Sequence, residues 1–137
     1  KLSAEEWLVV KQHPYYTFEI LKRISGFEQL SVVAAAHHEK LDGSGYFRGW
    51  TAGQLTLPMR ILVVADIFDA LAAARPYRAA LPLDQVFQIM KKEAPHAIDA
   101  TCLQALMVAK GFLSSPSPST HDLQRLSKAI PPTPARD

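Results

Sequence analysis

Apolar residues recur at helical spacing in six stretches of the chain. Trp7, Leu8, Val9 and Val10 follow Ser3, which with Glu6 three positions on forms a capping box, so a short helix is predicted to run to about His13. Pro14 cannot continue that helix but is well placed to start another. Tyr15, Phe18, Leu21 and Ile24 then share one face, and Gly26 is a natural stop. A third helix is predicted over Phe27–Glu39, with Leu30, Val33, Ala34 and His37 on one stripe. Pro58 opens the most apolar stretch, Met59–Ala74, closed by Arg75-Pro76. Two amphipathic helices follow, Leu83–Glu93 and Asp99–Lys110, the last with Asp99 as N-cap and Gly111 as stop. No segment alternates with period two over a useful length, so the predicted fold is all-α.

The periodicity lapses twice. Between Lys40 and Leu57 it gives way to Gly43, Gly45, Gly49 and Gly53, which predicts a loop of unusual length. Loops that long in compact domains are commonly functional. From 113 to 137 the chain is rich in proline and serine and reads as an extended tail, with Leu123 and Leu126 sufficient for one helical turn at most.

Composition narrows the class. The 137 residues are 48% hydrophobic and 20% charged, enough apolar material for a core and too much for a wholly disordered chain. A net charge of +2 argues against a protein built to coat nucleic acid, and no DNA partner is expected. Cys102 is the single cysteine, which excludes an intrachain disulfide and a thiolate zinc cluster. No apolar run approaches the ~18 residues of a membrane span, and no signal peptide is expected. A soluble, cytoplasmic domain is the expectation. The chain opens on Lys1, already inside a helix-start signal, and reads as the cut edge of something longer.

Metal chemistry is the first candidate function. Five histidines are present: His13, His37, His38, His96 and His121. Imidazole is the commonest nitrogen ligand for zinc, iron, nickel and copper, and several beside a carboxylate make a strong site. His13 sits at a helix break, while His37 and His38 end a helix just before the glycine loop. Adjacent helical residues point ~100° apart, so both can face one ion only if helix end and loop wrap around it. Asp66 and Asp69, three apart on the apolar helix, share a face and would be costly to bury without a partner. A cation would serve; so would pairing with Arg60 and Arg75 on a solvated face. Single histidines more often pack or cap than ligate, which is the ordinary reading of His96 and His121.

The residues also fall into a known order. His37-His38-Glu39-Lys40-Leu41-Asp42-Gly43-Ser44-Gly45-Tyr46 resembles the signature of the HD-GYP family of bacterial cyclic-dinucleotide phosphodiesterases. The resemblance extends through His13-Pro14, through Asp66-Ile-Phe-Asp69-Ala-Leu71 and through Arg75-Pro76-Tyr77-Arg78, covering 1–112. It implies an HD-domain-like helical bundle, incomplete at its N-terminus. It also implies that His13, His37 and His38 ligate one ion of a divalent centre of iron, manganese, nickel or zinc, and that Asp66 ligates another. Asp66 and Asp69 are the implied catalytic carboxylates, with Asp69 in an orienting part. Arg75 and Arg78 are implied to meet the phosphates or guanines of the ligand, their planar forks donating in pairs. Asp42, Gly43, Gly45 and Tyr46 would line the substrate entrance or dock a partner.

Three departures stand out. Phe47 replaces the proline of Gly-Tyr-Pro, so the residue that stiffens the loop is lost, and Thr17 stands where glycine is usual, which crowds that turn. The His-Asp pair that names the family is absent from this chain and would lie before Lys1; His121-Asp122 spells it in the tail, by coincidence. The function implied is metal-dependent hydrolysis of cyclic di-GMP by the parent protein, in bacterial signalling. Whether this chain is itself an enzyme is left open. The alternative is a degenerate domain that binds cyclic di-GMP or a partner without turnover. Implied partners are diguanylate cyclase (GGDEF) domains, an upstream sensor or receiver domain, and a second copy in a homodimer.

Overall fold

The computed structural model describes residues 2–75 and 78–114. Among them are six α-helices: α1 (Ala4–Val10), α2 (His13–Leu21), α3 (Glu28–Ala35), α4 (Leu57–Ala72), α5 (Leu83–Glu93) and α6 (Ala100–Ala109). A 3-10 turn, Ala36–His38, extends α3. The described residues contain no strand, only isolated bridges between Asp42 and Thr51 and between Arg75 and Arg78. The all-α expectation holds. The Pro/Ser-rich stretch with His121 and Asp122 lies outside the described residues from 115 onward.

Several ends form as the local chemistry dictates. The capping box is closed, with the Glu6 amide donating to Ser3 Oγ and the Ser3 amide to Glu6 Oε2. Asp99 caps α6 by accepting from the Cys102 amide at 2.9 Å. Gly111 leaves α6 at φ 69°, a left-handed conformation that glycine adopts without a Cβ penalty. Other boundaries differ from the pattern: α1 ends at Val10 rather than near His13, which instead opens α2, and α2 ends at Leu21, short of Ile24. The helix predicted from Met59 starts at Leu57, because proline is tolerated in a first turn whose amides have no intrahelical partner. The helix predicted over Phe27–Glu39 stops being α at Ala35, tightens to 3-10, and gives way to extended backbone at Glu39 (φ −74°, ψ 160°).

Two apolar clusters hold the bundle. The larger joins α4, α5 and α6 through Val63, Val64, Val86, Phe87, Met90, Ile98, Cys102, Leu103 and Met107. The smaller, Ala36, Leu55 and Met59, packs the 3-10 turn and the loop onto α4, with Trp50 and Leu41 against it. Arg60 fastens one to the other. Its guanidinium donates to the carbonyls of Leu55 and Ala52 at the loop exit and to Asp99 Oδ2 at the start of α6. On α1 no residue is buried, and Trp7, Leu8 and Val9 all face solvent. No described helix is long and apolar enough to cross a membrane.

Candidate metal centre

Three imidazoles meet where α2 begins and α3 ends. The ligand nitrogens of His13, His37 and His38 lie within 4.8 Å of one another. His13 arrives from the first residue of α2, which packs along α3. His37 and His38 come from the 3-10 turn, whose tighter winding and abrupt end bring two successive rings to 4.2 Å between centroids. The helix end therefore does wrap around a common point. Thr17 does not crowd the turn: its hydroxyl donates back to the His13 carbonyl at 3.0 Å.

The hydrogen bonds of these rings bear on whether an ion fits. His13 Nδ1 lies 2.7 Å from the Val10 carbonyl, and His37 Nδ1 lies 2.7 Å from the Ala34 carbonyl. A carbonyl only accepts, so both Nδ1 atoms carry protons, which in a neutral ring leaves the Nε2 lone pair for a ligand. Those two Nε2 atoms face each other at 2.8 Å. Two lone pairs that close require either a shared proton or a metal ion bound by both nitrogens. A ring N–H held by a backbone carbonyl is also the usual support of a metal-bound histidine. Burial pushes the His38 imidazole down to about 4, His37 and His13 add to that, and the Asp66 carboxylate opposes it. His38 is thus neutral near pH 7 and available as a ligand. The donor set fits a divalent ion such as zinc or iron.

Asp66 and Asp69 part company. Asp66 Oδ2 stands 3.6 Å from His38 Nδ1 and so belongs with the cluster. Asp69 is largely exposed and faces Arg75 at 3.8 Å. Arg60, the other candidate partner, goes to Asp99 instead. Arg78 donates to the carbonyls of Ala70 and Leu71, closing the C-terminal end of α4.

The glycine loop is organised by a residue that sequence reasoning passed over. Glu39 is fully buried, and its carboxylate gathers four successive amides. Oε1 accepts from Phe47, Arg48 and Gly49, and Oε2 accepts from Trp50 at 2.6 Å. Gly45 lies flat on this residue: a Cβ there would sit 2.4 Å from Glu39 Cα and 2.7 Å from the His38 carbonyl. Asp42 accepts from the Ser44 amide, and the Ser44 hydroxyl, then that amide, hold its carboxyl below the usual range. Gly43 turns at φ 79°. Of the four loop residues expected at the entrance, Gly45 lies against the His38 backbone and Tyr46 meets the histidine rings, stacked on His38 at 4.8 Å. Burial and the Asp66 charge raise its hydroxyl above the ordinary tyrosine value. Phe47 does not leave the loop loose. Its ring packs against Phe18 of α2 and Trp50, and the Arg48 guanidinium covers all three.

A family model described as an HD domain matches residues 1–102. The chain belongs to the HD-domain family. A relative from Vibrio cholerae named 3'3'-cGAMP-specific phosphodiesterase 3 is 49% identical over 113 residues, 82% of this chain and 25% of its own length. The cyclic di-GMP phosphodiesterase response regulator RpfG of Xanthomonas campestris is 38% identical over 82% of this chain and 30% of its own. A cyclic di-GMP phosphodiesterase of Thermotoga maritima is 42% identical over 64% of this chain and 24% of its own. The HD domain here is thus of the HD-GYP kind, and the chain spans about a quarter of the relatives it matches. HD domains bind divalent metals, and this one brings together three histidines able to hold an ion. Glu39 was written in the sequence beside them, but an acidic residue after His-His reads as a ligand or surface charge. Nothing local signals that four amides will converge on it.

Proposed function

We propose that the protein bearing this HD domain hydrolyses a phosphodiester bond of a cyclic dinucleotide, cyclic di-GMP first among them, with an ion held by His13, His37 and His38. The facing lone pairs of His13 and His37 carry this reading. Residues 1–112 form the domain portion in this account and 113–137 the tail. The bound divalent ion, iron, manganese, nickel or zinc, supplies Lewis acidity toward the phosphate and lowers the pKa of water. The chain's own residues do the rest. His13 and His37 have their rings held by the carbonyls three residues earlier, those of Val10 and Ala34, which aims both Nε2 atoms at the cluster. Asp66 adds negative charge beside His38 and is the nearest carboxylate for a further ion. Tyr46 walls the cluster. Arg75, half exposed and only loosely paired to Asp69, is free to swing onto a substrate phosphate; Arg78 acts mainly through α4.

A second substrate has its own support, since the relative at 49% identity is named for 3'3'-cGAMP. The test incubates the purified full-length protein, loaded with Mn²⁺ or Fe²⁺, with each dinucleotide separately and resolves products by chromatography. Conversion of cyclic di-GMP to the linear dinucleotide or GMP is expected; preferential conversion of 3'3'-cGAMP favours the second substrate. Binding of either ligand with no turnover under both metals refutes the enzyme and leaves a binding domain.

A further inference from the structure

We propose that Glu39 is the positioning residue of the histidine cluster: its buried carboxylate gathers the amides of Phe47–Trp50 and thereby presents Tyr46 to the face of His38. The inference rests on the metal reading above for its consequence, though not for its geometry. Glu39 follows the two histidines directly, yet both its oxygens are consumed by amide donors, so it is not a third-row ligand of the same ion. It makes no ion pair among the described residues. A buried carboxylate without a cation is costly, and four converging N–H groups are what offset that cost. What the arrangement achieves is a fixed distance between loop and turn. Residue 39 ends the 3-10 turn that carries His37 and His38, and residues 47–50 follow Tyr46 directly. Drawing the two together leaves Gly45 against the Glu39 backbone and Tyr46 stacked on His38, 29° from parallel. The same ring lies edge-on to His13 at 6.3 Å. The Phe47 and Arg48 side chains fasten the loop to α2 through Phe18, so the element carrying His13 is held by the same closure.

A carboxylate is required chemically. Glutamine has the same size, but its amide nitrogen would face the Trp50 N–H, donor against donor, or else meet the other three amides. Groups that orient metal-bound histidines typically change metal affinity 10–100-fold when altered. The test uses the full chain, with Co²⁺ as the probe ion, in Glu39→Gln, Tyr46→Leu and the double variant. Two readouts are taken: Co²⁺ affinity with its visible spectrum, and the metal-free NMR shifts of the His38 ring protons under the Tyr46 ring current. Expected is a loss of at least tenfold in affinity and of the ring-current shift in both single variants, with little further loss in the double variant. A positioning role predicts that non-additivity; a purely structural role lowers the melting temperature and leaves the spectrum and shifts alone. Unchanged His38 shifts in Glu39→Gln, or losses that add in full, overturn the proposal. Should Glu39→Gln fail to fold, Tyr46→Leu with unchanged Co²⁺ affinity overturns it as well. If the unaltered protein takes up no Co²⁺, the metal reading fails, and the metal-free His38 shifts still decide the role of Glu39.

Discussion

Gly45→Ala isolates the closure of the glycine loop from every other property of the chain. Gly45 does not have the left-handed backbone of Gly43 or Gly49, so alanine brings no torsional strain there. The whole effect is steric. An added Cβ meets Glu39 Cα at 2.4 Å, the His38 carbonyl at 2.7 Å and Glu39 C at 3.0 Å, all of them backbone atoms. Ordinary contact begins at 3.4 Å, so loop and turn must separate by 3.4 − 2.4 = 1.0 Å. A forced shift of that kind in packed surroundings costs about 1–3 kcal/mol. It would also lengthen the Glu39 bonds to the loop amides, the shortest of which is 2.6 Å, beyond hydrogen-bonding range. Gly26→Ala is the control, since Gly26 has φ 84° but nothing within 4 Å of the added carbon. Its cost is torsional alone, about 1–2 kcal/mol. Urea unfolding of both variants gives the stabilities, and the His38 ring-proton shifts report the loop. Both variants should lose stability, but only Gly45→Ala should release Tyr46 from His38. A Gly45→Ala protein within about 0.5 kcal/mol of the parent sequence, a change typical of an unstrained surface site, with His38 shifts intact, refutes the steric argument.

Three further outcomes are expected. His37→Ala and His38→Ala should each lower the metal content found by elemental analysis, and unchanged content would remove them from the ligand set. In chelator, the depressed His38 pKa makes the protein more stable above pH 6.5 than below, the advantage being lost as pH falls from 6.5 toward about 4. The full shift corresponds to roughly 3 kcal/mol, reduced to about 1–2 kcal/mol because the ring is still partly solvated; His38→Gln should flatten that part of a pH series of urea melts. Asp99→Ala removes the α6 cap and strands the Arg60 guanidinium, costing about 1–2 kcal/mol by urea unfolding. The Cys102 amide, then Arg60, hold the Asp99 carboxyl below its ordinary value. Its contribution is therefore present above pH 3.8 and disappears as pH falls through the lower folded value, which the same series detects.

The helices were legible because each is announced locally. Ser3 with Glu6, Pro14, Asp99 and Gly111 are start and stop signals whose chemistry acts within a few residues. The three histidines were legible as a set through the order of motifs. That they meet depends on a change of winding at Ala36, which periodicity does not encode. Phe47 in place of proline predicts a looser loop, whereas closure comes from a carboxylate eight residues earlier and from an aromatic contact with α2. Sequence likewise does not tell an arginine that meets a ligand from one that closes a helix end, as Arg78 does. Pairings seven or more residues apart, beyond the reach of helical periodicity, decided both.

The four bonds to Glu39 have both donors and acceptor inside a single run of twelve residues, 39–50. Such a segment carries its own folding instructions and behaves as a cassette. Transplanted between related domains, it would keep its shape wherever the host offers a histidine turn before it and an apolar seat for Trp50 and Leu41. The recipient has also to match its anchors: Phe18 against Phe47, Glu93 and the Ala97 carbonyl against Lys40 and Leu41, and Arg60 with Asp99 at the exit. Recombination among these domains would then exchange loop surfaces freely while leaving the ion-binding floor beneath them in register.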